Sequence, residues 1–225
     1  MINLLNVQVS PRRDKSLSRN LSETFISHLN DFDSDLEIVH RDLSKVPPQF
    51  VDLNWIASAF TDSSERSHEQ RKILHKSDKY IDEIRWAEII VIGTPMFNYG
   101  MPAALKAWID QIARISETFS FDLNRGDFPI EPILKNKKLV VLTSSGEFGF
   151  DEGEIRETQN HLIPHLRTCS HYLGVDKKKD LYHIGIEFQE FKDDRHQKSI
   201  KNAHQKAQRL AEEISFCDKN LEKVS

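Results

Sequence analysis

The sequence is poor in cysteine and has no long hydrophobic run. Its 225 residues include only two cysteines, Cys169 and Cys217, which are too few for a disulfide scaffold and are consistent with a reducing cytosol. No apolar run approaches the roughly 20 residues that a membrane-spanning helix needs. Residues 1–9 contain no basic segment before a long apolar region, so we expect no signal peptide. We therefore predict a cytoplasmic protein without a membrane partner.

A strong charge of one sign is also missing. The chain has 31 lysines and arginines against 35 aspartates and glutamates, a formal net charge of −4. This weak negative charge gives no general attraction to nucleic acids or to anionic membranes. The sequence also lacks internal repeats and low-complexity linkers. At this length we expect a single domain that spans residues 1–225.

Five short segments have the composition of β-strands. Three are nearly continuous apolar runs, as expected of strands that are covered on both faces. A fourth run is interrupted by His183 and Glu187, and a further segment alternates like a strand with one covered face. In chain order, the five predicted strands are residues 4–9, 36–40, 89–92, 139–142 and 181–188.

Between these segments the apolar residues recur with helical spacing. The predicted stripes are Leu17, Leu21, Phe25 and Leu29; Ile73, Ser77, Tyr80, Ile81 and Ile84; Leu105, Trp108, Ile109 and Ile112; and Ile200, Ala203, Ala207, Leu210 and Ile214. Strands that alternate with helices indicate βαβ units. We therefore predict an α/β fold, a three-layer sandwich in which helices cover both faces of a doubly wound, five-stranded parallel sheet.

Two segments interrupt this alternation. Residues 44–66 and residues 119–134 are rich in turn-forming residues, and we predict both to be irregular excursions. Long irregular loops in compact domains are often functional or disordered. We expect Trp55, in the first excursion, to make a tethering contact with the core. Residues 218–225 are expected to form a frayed helix end.

Ligands of open α/β sheets bind beyond the carboxyl ends of the strands. The first such loop, residues 9–18, leads into a helix that we predict to start near Ser16. Ser10, Ser16 and Ser18 offer hydroxyl donors, and a helix N-terminus favours phosphate. The loop has neither the Walker pattern nor G-x-G-x-x-G, which argues against a nucleoside triphosphate and against a Rossmann dinucleotide site. A plain serine N-cap on an exposed loop is the alternative.

The next two strand ends are also candidate sites. Residues 96–102 include Met96, Phe97 and Tyr99, whose flat or polarisable side chains suit a planar ligand, although such residues more often cap a core. Residues 143–149 contain a Ser-Ser-Gly turn, which permits close approach of the backbone to a ligand. An ordinary strand-to-helix turn is the alternative there.

These loops resemble those of the FMN-dependent azoreductases of the flavodoxin-like superfamily, which are related to the NAD(P)H:quinone oxidoreductases. The sharpest similarity is PMFNYGMPAALKAWIDQIARISETFSF, residues 95–121, which resembles the family's P-M-Y-N-F segment, its following helix and its T-F-x-Y stretch. Ser10 with Ser16-Leu17-Ser18 resembles the family's phosphate-binding start. Residues 143–147, TSSGE, stand where the family usually has T-S-R-G-G.

The resemblance implies a flavodoxin-like fold that binds FMN at these three loops. The residues that would hold the FMN phosphate are Ser10, Ser16, Leu17 and Ser18. Those that would contact the isoalloxazine and the ribityl chain are Met96, Phe97, Asn98 and Tyr99. Those that would lie along the ring are Ser144, Ser145, Gly146 and Glu147.

Three positions depart from the family's pattern. Ser145 replaces an arginine and Glu147 replaces a glycine, so a cation is lost and a carboxylate is gained beside the expected ring. An anionic reduced flavin is less favoured near such a carboxylate. Phe121 stands where the family often has tyrosine, and it keeps the aromatic wall without the hydroxyl.

The resemblance also implies the reaction and the assembly. NADH or NADPH would pass a hydride to flavin N5 and leave, and a quinone or azo compound would then receive two electrons at the same site, which gives ping-pong kinetics. The flavin carries this chemistry, so we expect neither a catalytic side chain nor a metal. Family members pair as homodimers with the flavin at the interface, and the candidate substrate-binding walls are Phe119, Phe121 and Tyr172.

Three other interpretations stay open. A flavodoxin-like electron carrier would bind FMN without efficient NAD(P)H turnover, although such carriers are typically smaller and strongly acidic. A family member altered at the two charge-changing positions would act as a redox sensor. A metal-dependent hydrolase would use His161, His165 and Cys169, which are spaced by four, but Pro164 interrupts that helix and no H-E-x-x-H motif is present.

Overall fold

The structure is a computed structural model of the chain and describes residues 2–32 and 35–221. The strands of these residues are β1 (Ile2–Gln8), β2 (Leu36–Asp42), β3 (Ile89–Pro95), β4 (Phe119–Phe121), β5 (Ile130–Pro132), β6 (Lys138–Ser144) and β7 (Leu181–Ile186). The helices are α1 (Leu17–Phe32), α2 (Leu53–Phe60), α3 (His68–Trp86), α4 (Ala103–Ile112), α5 (Ile163–Cys169) and α6 (Asp194–Leu221).

Five of the strands form one parallel sheet with the order β2-β1-β3-β6-β7. Its register places Val7 beside Ile92, and Ile92 beside Val141, so the three inner strands end at the same edge. The strand order reverses between β1 and β3, which is the position where ligands of doubly wound sheets bind. The predicted doubly wound, five-stranded parallel sheet is therefore confirmed.

Helices cover both faces of this sheet. Successive residues of a strand point to opposite faces, and on β1 Leu5 packs in one core cluster with Trp108 of α4, whereas Leu4 packs in another with Phe25 of α1. The first cluster also includes residues of α3 and α5, and the second includes residues of α6. The fold is thus the predicted three-layer sandwich.

The four predicted stripes coincide with α1, α3, α4 and α6. A capping box starts α3, because the Ser67 side chain accepts from the amide of Gln70 while the Gln70 side chain accepts from the amide of Ser67. One residue of the predicted stripe is wrong, because Leu74 is buried and Ile73 is only partly buried. The buried face of α3 follows Leu74, Ser77, Ile81 and Ile84, and Ile73 lies about 100° around the helix from Leu74.

The first predicted excursion is not irregular throughout. The helix α2 lies within it, and Asp52 caps that helix by accepting a hydrogen bond from the amide of Trp55, 2.8 Å away. The indole of Trp55 is buried, and its Nε1 donates to Oε1 of Gln111 at 2.9 Å. This contact joins α2 to α4 and confirms the predicted tether.

The second predicted excursion is also partly regular. Strands β4 and β5 pair antiparallel, with Phe119 opposite Pro132 and Phe121 opposite Ile130. A short 3-10 turn at Leu123–Arg125 lies within the connection. Three-residue strands are too short to show an alternating pattern in the sequence, which is why this hairpin was not predicted.

Two further predictions concern the end of α6 and the segment with His161, His165 and Cys169. Helix α6 continues to Leu221, and residues 222–225 of the predicted frayed end lie outside the described residues. Helix α5 begins at Ile163, so Pro164 sits in its first turn instead of interrupting it, and His161 precedes the helix. In residues 2–32 and 35–216, no group of three or more His, Cys, Asp or Glu is placed to hold a metal ion. In the described part of the chain, no helix has the length and apolar composition to cross a membrane.

Candidate functional site

The three predicted loops meet at the carboxyl edge of β1, β3 and β6. A cavity of about 210 Å³, here called the inner cleft, lies between them. Its lining from these loops and strand ends is Ser10, Arg12, Ser16, Leu17, Pro95, Met96, Phe97, Ser144 and Gly146. Strand ends that are distant in sequence therefore contribute to one site, as the topology requires.

A second and larger cavity continues from the first. This outer cleft has a volume of about 500 Å³. Its lining from the second and third loops is Met96, Phe97, Asn98, Tyr99, Ser145, Gly146 and Glu147. Met96, Phe97, Gly146 and Glu190 line both cavities, so the two clefts are contiguous.

The serine loop combines a helix cap with a cluster of hydroxyl groups. Ser16 Oγ accepts from the amide of Arg19 at 3.3 Å, so Ser16 is the N-cap that the sequence suggested. Ser16 Oγ is also 3.3 Å from Ser18 Oγ. Ser10, Ser16 and Ser18 are all buried, but Ser18 lies behind the inner cleft and is not among its lining residues. Ser16 therefore both caps α1 and lines the inner cleft.

Arg19 fixes the position of this loop. Its guanidinium donates to the carbonyl oxygen of Ser10 through Nε at 2.9 Å and Nη2 at 2.7 Å. Nη2 also donates to Oδ1 of Asp42 and to Oγ of Ser44, both at 2.9 Å. Arg19 thus ties the end of β1 to the end of β2, and with it the serine wall of the inner cleft.

The carboxylate of Asp42 makes this tie sensitive to acid. Burial alone would raise the pKa of Asp42, but hydrogen bonds from Arg19 and Ser44 outweigh it and lower the pKa from 3.8 to about 2. A carboxylate with a lowered pKa stabilises the fold above its unfolded-state pKa, and this contribution is lost as the pH falls through the folded-state value. The acid-sensitive window therefore lies between about pH 4 and pH 2.

Replacing Asp42 with asparagine is expected to destabilise the protein at pH 7 by about 1–2 kcal/mol. Urea unfolding at pH 7 and at pH 3 measures the effect. The difference in the free energy of unfolding between variant and parent should be smaller at pH 3 than at pH 7. Asp14→Asn, at an exposed position of the serine loop that Arg19 ties to Asp42, is the control. A gap that stays constant with pH would contradict the role of the ionised carboxylate.

The second loop is a tight turn with unusual backbone angles. Asn98 and Tyr99 have φ values of 47° and 67°, a region that residues other than glycine rarely adopt. The turn is closed by reciprocal hydrogen bonds between Phe97 and Gly100, of 3.0 and 2.9 Å. The amides of Asn98 and Tyr99 donate to no acceptor within the described residues. They are therefore available to a ligand in the outer cleft.

The aromatic residues of this loop do not cap the core. Met96 and Met101 pack against the core cluster, as the alternative interpretation expected. Phe97 and Tyr99, by contrast, remain 47% and 42% exposed. Two large aromatic side chains are thus left on the wall of an open cleft, where a flat ligand can cover them.

The third loop places a carboxylate at the outer cleft. Glu147 Oε1 lies 3.3 Å from Nε of Arg156, and the two side chains form an ion pair. Hydrogen bonding with the Glu147 carboxylate raises the pKa of the Tyr99 phenol. Arg156 could not be predicted as a site residue, because nothing in the local sequence pattern indicates that it folds back onto Glu147.

A segment after β7 also belongs to the site and was not predicted. The amides of Phe188, Gln189 and Glu190 donate to the carbonyls of Glu147, Ser145 and Gly146, respectively, at 3.1–3.2 Å. A Cβ at Gly146 would stand 2.7 Å from Cγ of Glu190, so any larger residue there would require the Glu190 side chain to move. Gln189 and Glu190 consequently join the lining of the clefts, and Phe150, which follows the third loop, lines the outer cleft as well.

The predicted substrate-binding aromatics lie elsewhere. Phe119 is buried and packs against Tyr172, with ring centroids 5.3 Å apart, whereas Phe121 is exposed. None of the three is among the described residues that line the inner or the outer cleft.

The two clefts suit the two ends of a flavin mononucleotide. The inner cleft has serine hydroxyls and the N-terminus of α1, whose first amides have no acceptor within the helix, and both favour a phosphate. The outer cleft has exposed aromatic side chains and unpaired amides, which suit a flat ring with polar edges. The residues present therefore fit FMN.

Comparison with known proteins places the chain among its relatives. A family model described as "Flavodoxin-like fold" matches residues 2–210. The chain is 47% identical to FMN-dependent NADH:quinone oxidoreductase 2 of Colwellia psychrerythraea, across 95% of this chain and 100% of that protein. It is 50% identical to FMN-dependent NADH:quinone oxidoreductase 2 of Idiomarina loihiensis, across 89% of this chain and 82% of that protein.

The solved structures give the same fold. The crystal structure of an FMN-dependent NADH-azoreductase from Bacillus anthracis in complex with FMN matches with a TM-score of 0.82 at 18% identity, and the match covers 96% of this chain and 100% of that one. The fold and the site together define a protein of the flavodoxin-like class. The chain belongs to the flavodoxin-like fold family and, within it, to the family of the FMN-dependent NADH:quinone oxidoreductases.

Proposed function

We infer that this protein is an FMN-dependent oxidoreductase that uses NADH or NADPH to reduce quinones and azo compounds. The observation that carries this inference is the pair of contiguous clefts at the ends of β1, β3 and β6, one lined by hydroxyl groups and the other by exposed aromatic side chains. The identity of 47–50% with two proteins named FMN-dependent NADH:quinone oxidoreductase supports it.

The chain's own groups bind and orient the cofactor. Ser10 and Ser16, with the first amides of α1, would hold the FMN phosphate, and the buried Ser18 supports Ser16 from behind. Phe97 and Tyr99 would form a wall against the ring. When bound, FMN accepts a hydride from the nicotinamide and delivers two electrons to the acceptor.

The third loop would act on the polar edge of the ring. Ser145, Gly146 and Glu147 are held in place because the amides of residues 188–190 donate to their carbonyls, and Ser144 is held because its carbonyl accepts from the amide of Met96 at 2.8 Å. Met96 packs on the core and lines both clefts, so it would form part of the surface on which a flat ligand rests. No protein nucleophile is required by this arrangement, because the cofactor carries the chemistry.

Anaerobic reduction tests the function directly. Purified protein, loaded with FMN, is expected to lose its flavin absorbance when NADH is added and to regain it when menadione follows. Steady consumption of NADH with menadione, with parallel double-reciprocal plots, would show ping-pong turnover and would exclude a pure electron carrier. Protein that ignores added FMN would overturn the proposal. Parallel assays with NADPH and with an azo dye define the donor and the acceptor.

We also propose that two copies form a homodimer with each active site at the interface, in the cytoplasm. The segment at residues 119–134 supports the dimer, since it leaves apolar side chains exposed, among them Leu123 and Phe128. Apolar patches of this kind mark interaction surfaces. Phe121 does not line the clefts of its own chain. In the proposed dimer, Phe121 of each copy would instead lie at the cleft of the other copy. Sedimentation velocity over a range of concentrations tests the assembly, and a monomer at all concentrations would contradict it.

A further inference from the structure

Arg156 is held in one position by three contacts. Its amide donates to the carbonyl of Gly149 at 2.6 Å, which closes the loop that begins at Glu147. Its guanidinium donates through Nη1 to the carbonyl of Phe148 at 3.1 Å and lies over the Phe148 ring, 4.7 Å from the centroid. Such stacking attracts a guanidinium to the face of the ring and so restricts its orientation. Arg156 is therefore a fixed cation on an otherwise irregular loop.

The carboxylate that Arg156 faces lines the outer cleft. Glu147 is 37% exposed through its side chain, and Arg156 Nε approaches its Oε1 at 3.3 Å. Among the described residues, Arg156 is the one cation within ion-pair distance of this carboxylate. Ser145, on the same loop, is uncharged and uses its hydroxyl to donate to the carbonyl of Glu147 at 2.9 Å.

Other charged groups near this pair have different partners. The carboxylate of Glu187 accepts from the amide of Gly149 at 2.8 Å. Arg195 lies over the Phe148 ring at 5.6 Å but pairs with Asp193. Glu190 lines both clefts and adds a negative charge there. The balance of charge at the third loop therefore depends on Arg156.

We propose that Arg156 is a positioning residue that holds Glu147 in place and offsets its charge beside the flavin ring, so that the reduced cofactor is not disfavoured. This inference rests on the proposed function, because it assumes FMN in the outer cleft. Reduction adds negative charge to the flavin, and an unpaired carboxylate nearby opposes that change. A neighbouring guanidinium, within the same loop, acts in the opposite direction on the charge that the flavin ring meets.

Midpoint potentials of bound FMN, measured against reference dyes, test the proposal. Arg156→Gln is expected to lower the ratio of affinities for reduced and oxidised FMN about tenfold, which is about 30 mV for a two-electron couple. Glu147→Gln should shift the potential upward, and the double variant should return close to the parent value. Arg156→Lys, which keeps the charge, should keep most of the potential. Arg195→Gln is the matched control and should cause no shift, although it also faces Phe148.

An unchanged potential in Arg156→Gln would overturn the proposal. A double variant that stays at the Arg156→Gln value would overturn it too, because the arginine would then act on the loop and not on the charge of Glu147.

The phenol of Tyr99 gives a second test that needs no cofactor. In flavin-free protein, ultraviolet titration with Tyr99→Phe as the reference isolates the Tyr99 phenolate. The Glu147 carboxylate raises the pKa of Tyr99 and Arg156 opposes this effect. Glu147→Gln should therefore lower the pKa of Tyr99, and Arg156→Gln should raise it further. A protein that failed to bind FMN would overturn the proposed function, whereas a Tyr99 pKa indifferent to Arg156 would overturn the pairing itself.

Discussion

Replacing Ser16 with aspartate is expected to weaken FMN binding at least a hundredfold without loosening the fold. Ser16 caps α1 through its hydroxyl and lines the inner cleft. Aspartate is as good an N-cap as serine, so the helix start is kept. Its carboxylate would, however, lie where the FMN phosphate is proposed to bind, and two anions in a partly enclosed cleft repel each other. A hundredfold loss corresponds to about 2.8 kcal/mol.

Titration of flavin-free protein with FMN, followed by the quenching of flavin fluorescence, measures this change. Ser16→Asn is the matched control, since it is a neutral cap of the same shape as aspartate, and we expect it to cost only a few-fold in affinity. Added salt should narrow the difference between the two variants, because it screens the repulsion. Equal FMN affinities for the two variants would place the phosphate elsewhere.

The sheet and the meeting of the three loops could be predicted because both follow from simple rules. The inner strands are covered on both faces, so their segments are continuously apolar, as at residues 89–92 and 139–142. Parallel strands with helical connections end at one edge of the sheet, and a loop that follows each strand must therefore lie beside its neighbours. The polar residues at those loops then indicate a site before any contact is known.

The elements that were missed depend on weaker local signals. The helix α2 has eight residues and follows two prolines, Pro47 and Pro48, so the sequence suggested a loop. Strands β4 and β5 have three residues each and are stabilised by pairing with each other and not by an alternating pattern. Isolated hairpins of this length are marginal in water, and the surrounding chain decides whether they form.

The site residues that were missed are brought in by long-range contacts. Gln189 and Glu190 reach the clefts because their amides bond to the carbonyls of Ser145 and Gly146. Arg156 reaches Glu147 because the intervening loop folds back on Gly149. No spacing or motif in a single sequence predicts either contact. The change of charge at Glu147 was visible in the sequence, but the cation that offsets it was not.

Replacing Gly174 with alanine is expected to cost about 3 kcal/mol of stability, far more than the same change at Gly153. Both glycines have positive φ, 76° and 81°, which costs an alanine about 1 kcal/mol. At Gly174 a Cβ would also stand 2.8 Å from the carbonyl carbon of Leu134 and 2.9 Å from the amide nitrogen of Lys135. These are backbone atoms that cannot turn aside, and such overpacking adds about 1–3 kcal/mol.

The clash of an alanine side chain at position 174 would fall on residues 134–135, shortly before β6. The carbonyl of Gly174 accepts from the amide of Lys137 at 3.1 Å, immediately before β6 begins. At Gly153, by contrast, nothing lies within 4 Å of the added Cβ, so only the backbone conformation opposes alanine. Urea unfolding of both variants without flavin compares them, because bound FMN would add its own stabilisation. If the two alanine variants lost equal stability, the close packing of Gly174 on residues 134–135 would carry no energetic weight, and the left-handed conformation alone would explain the glycine.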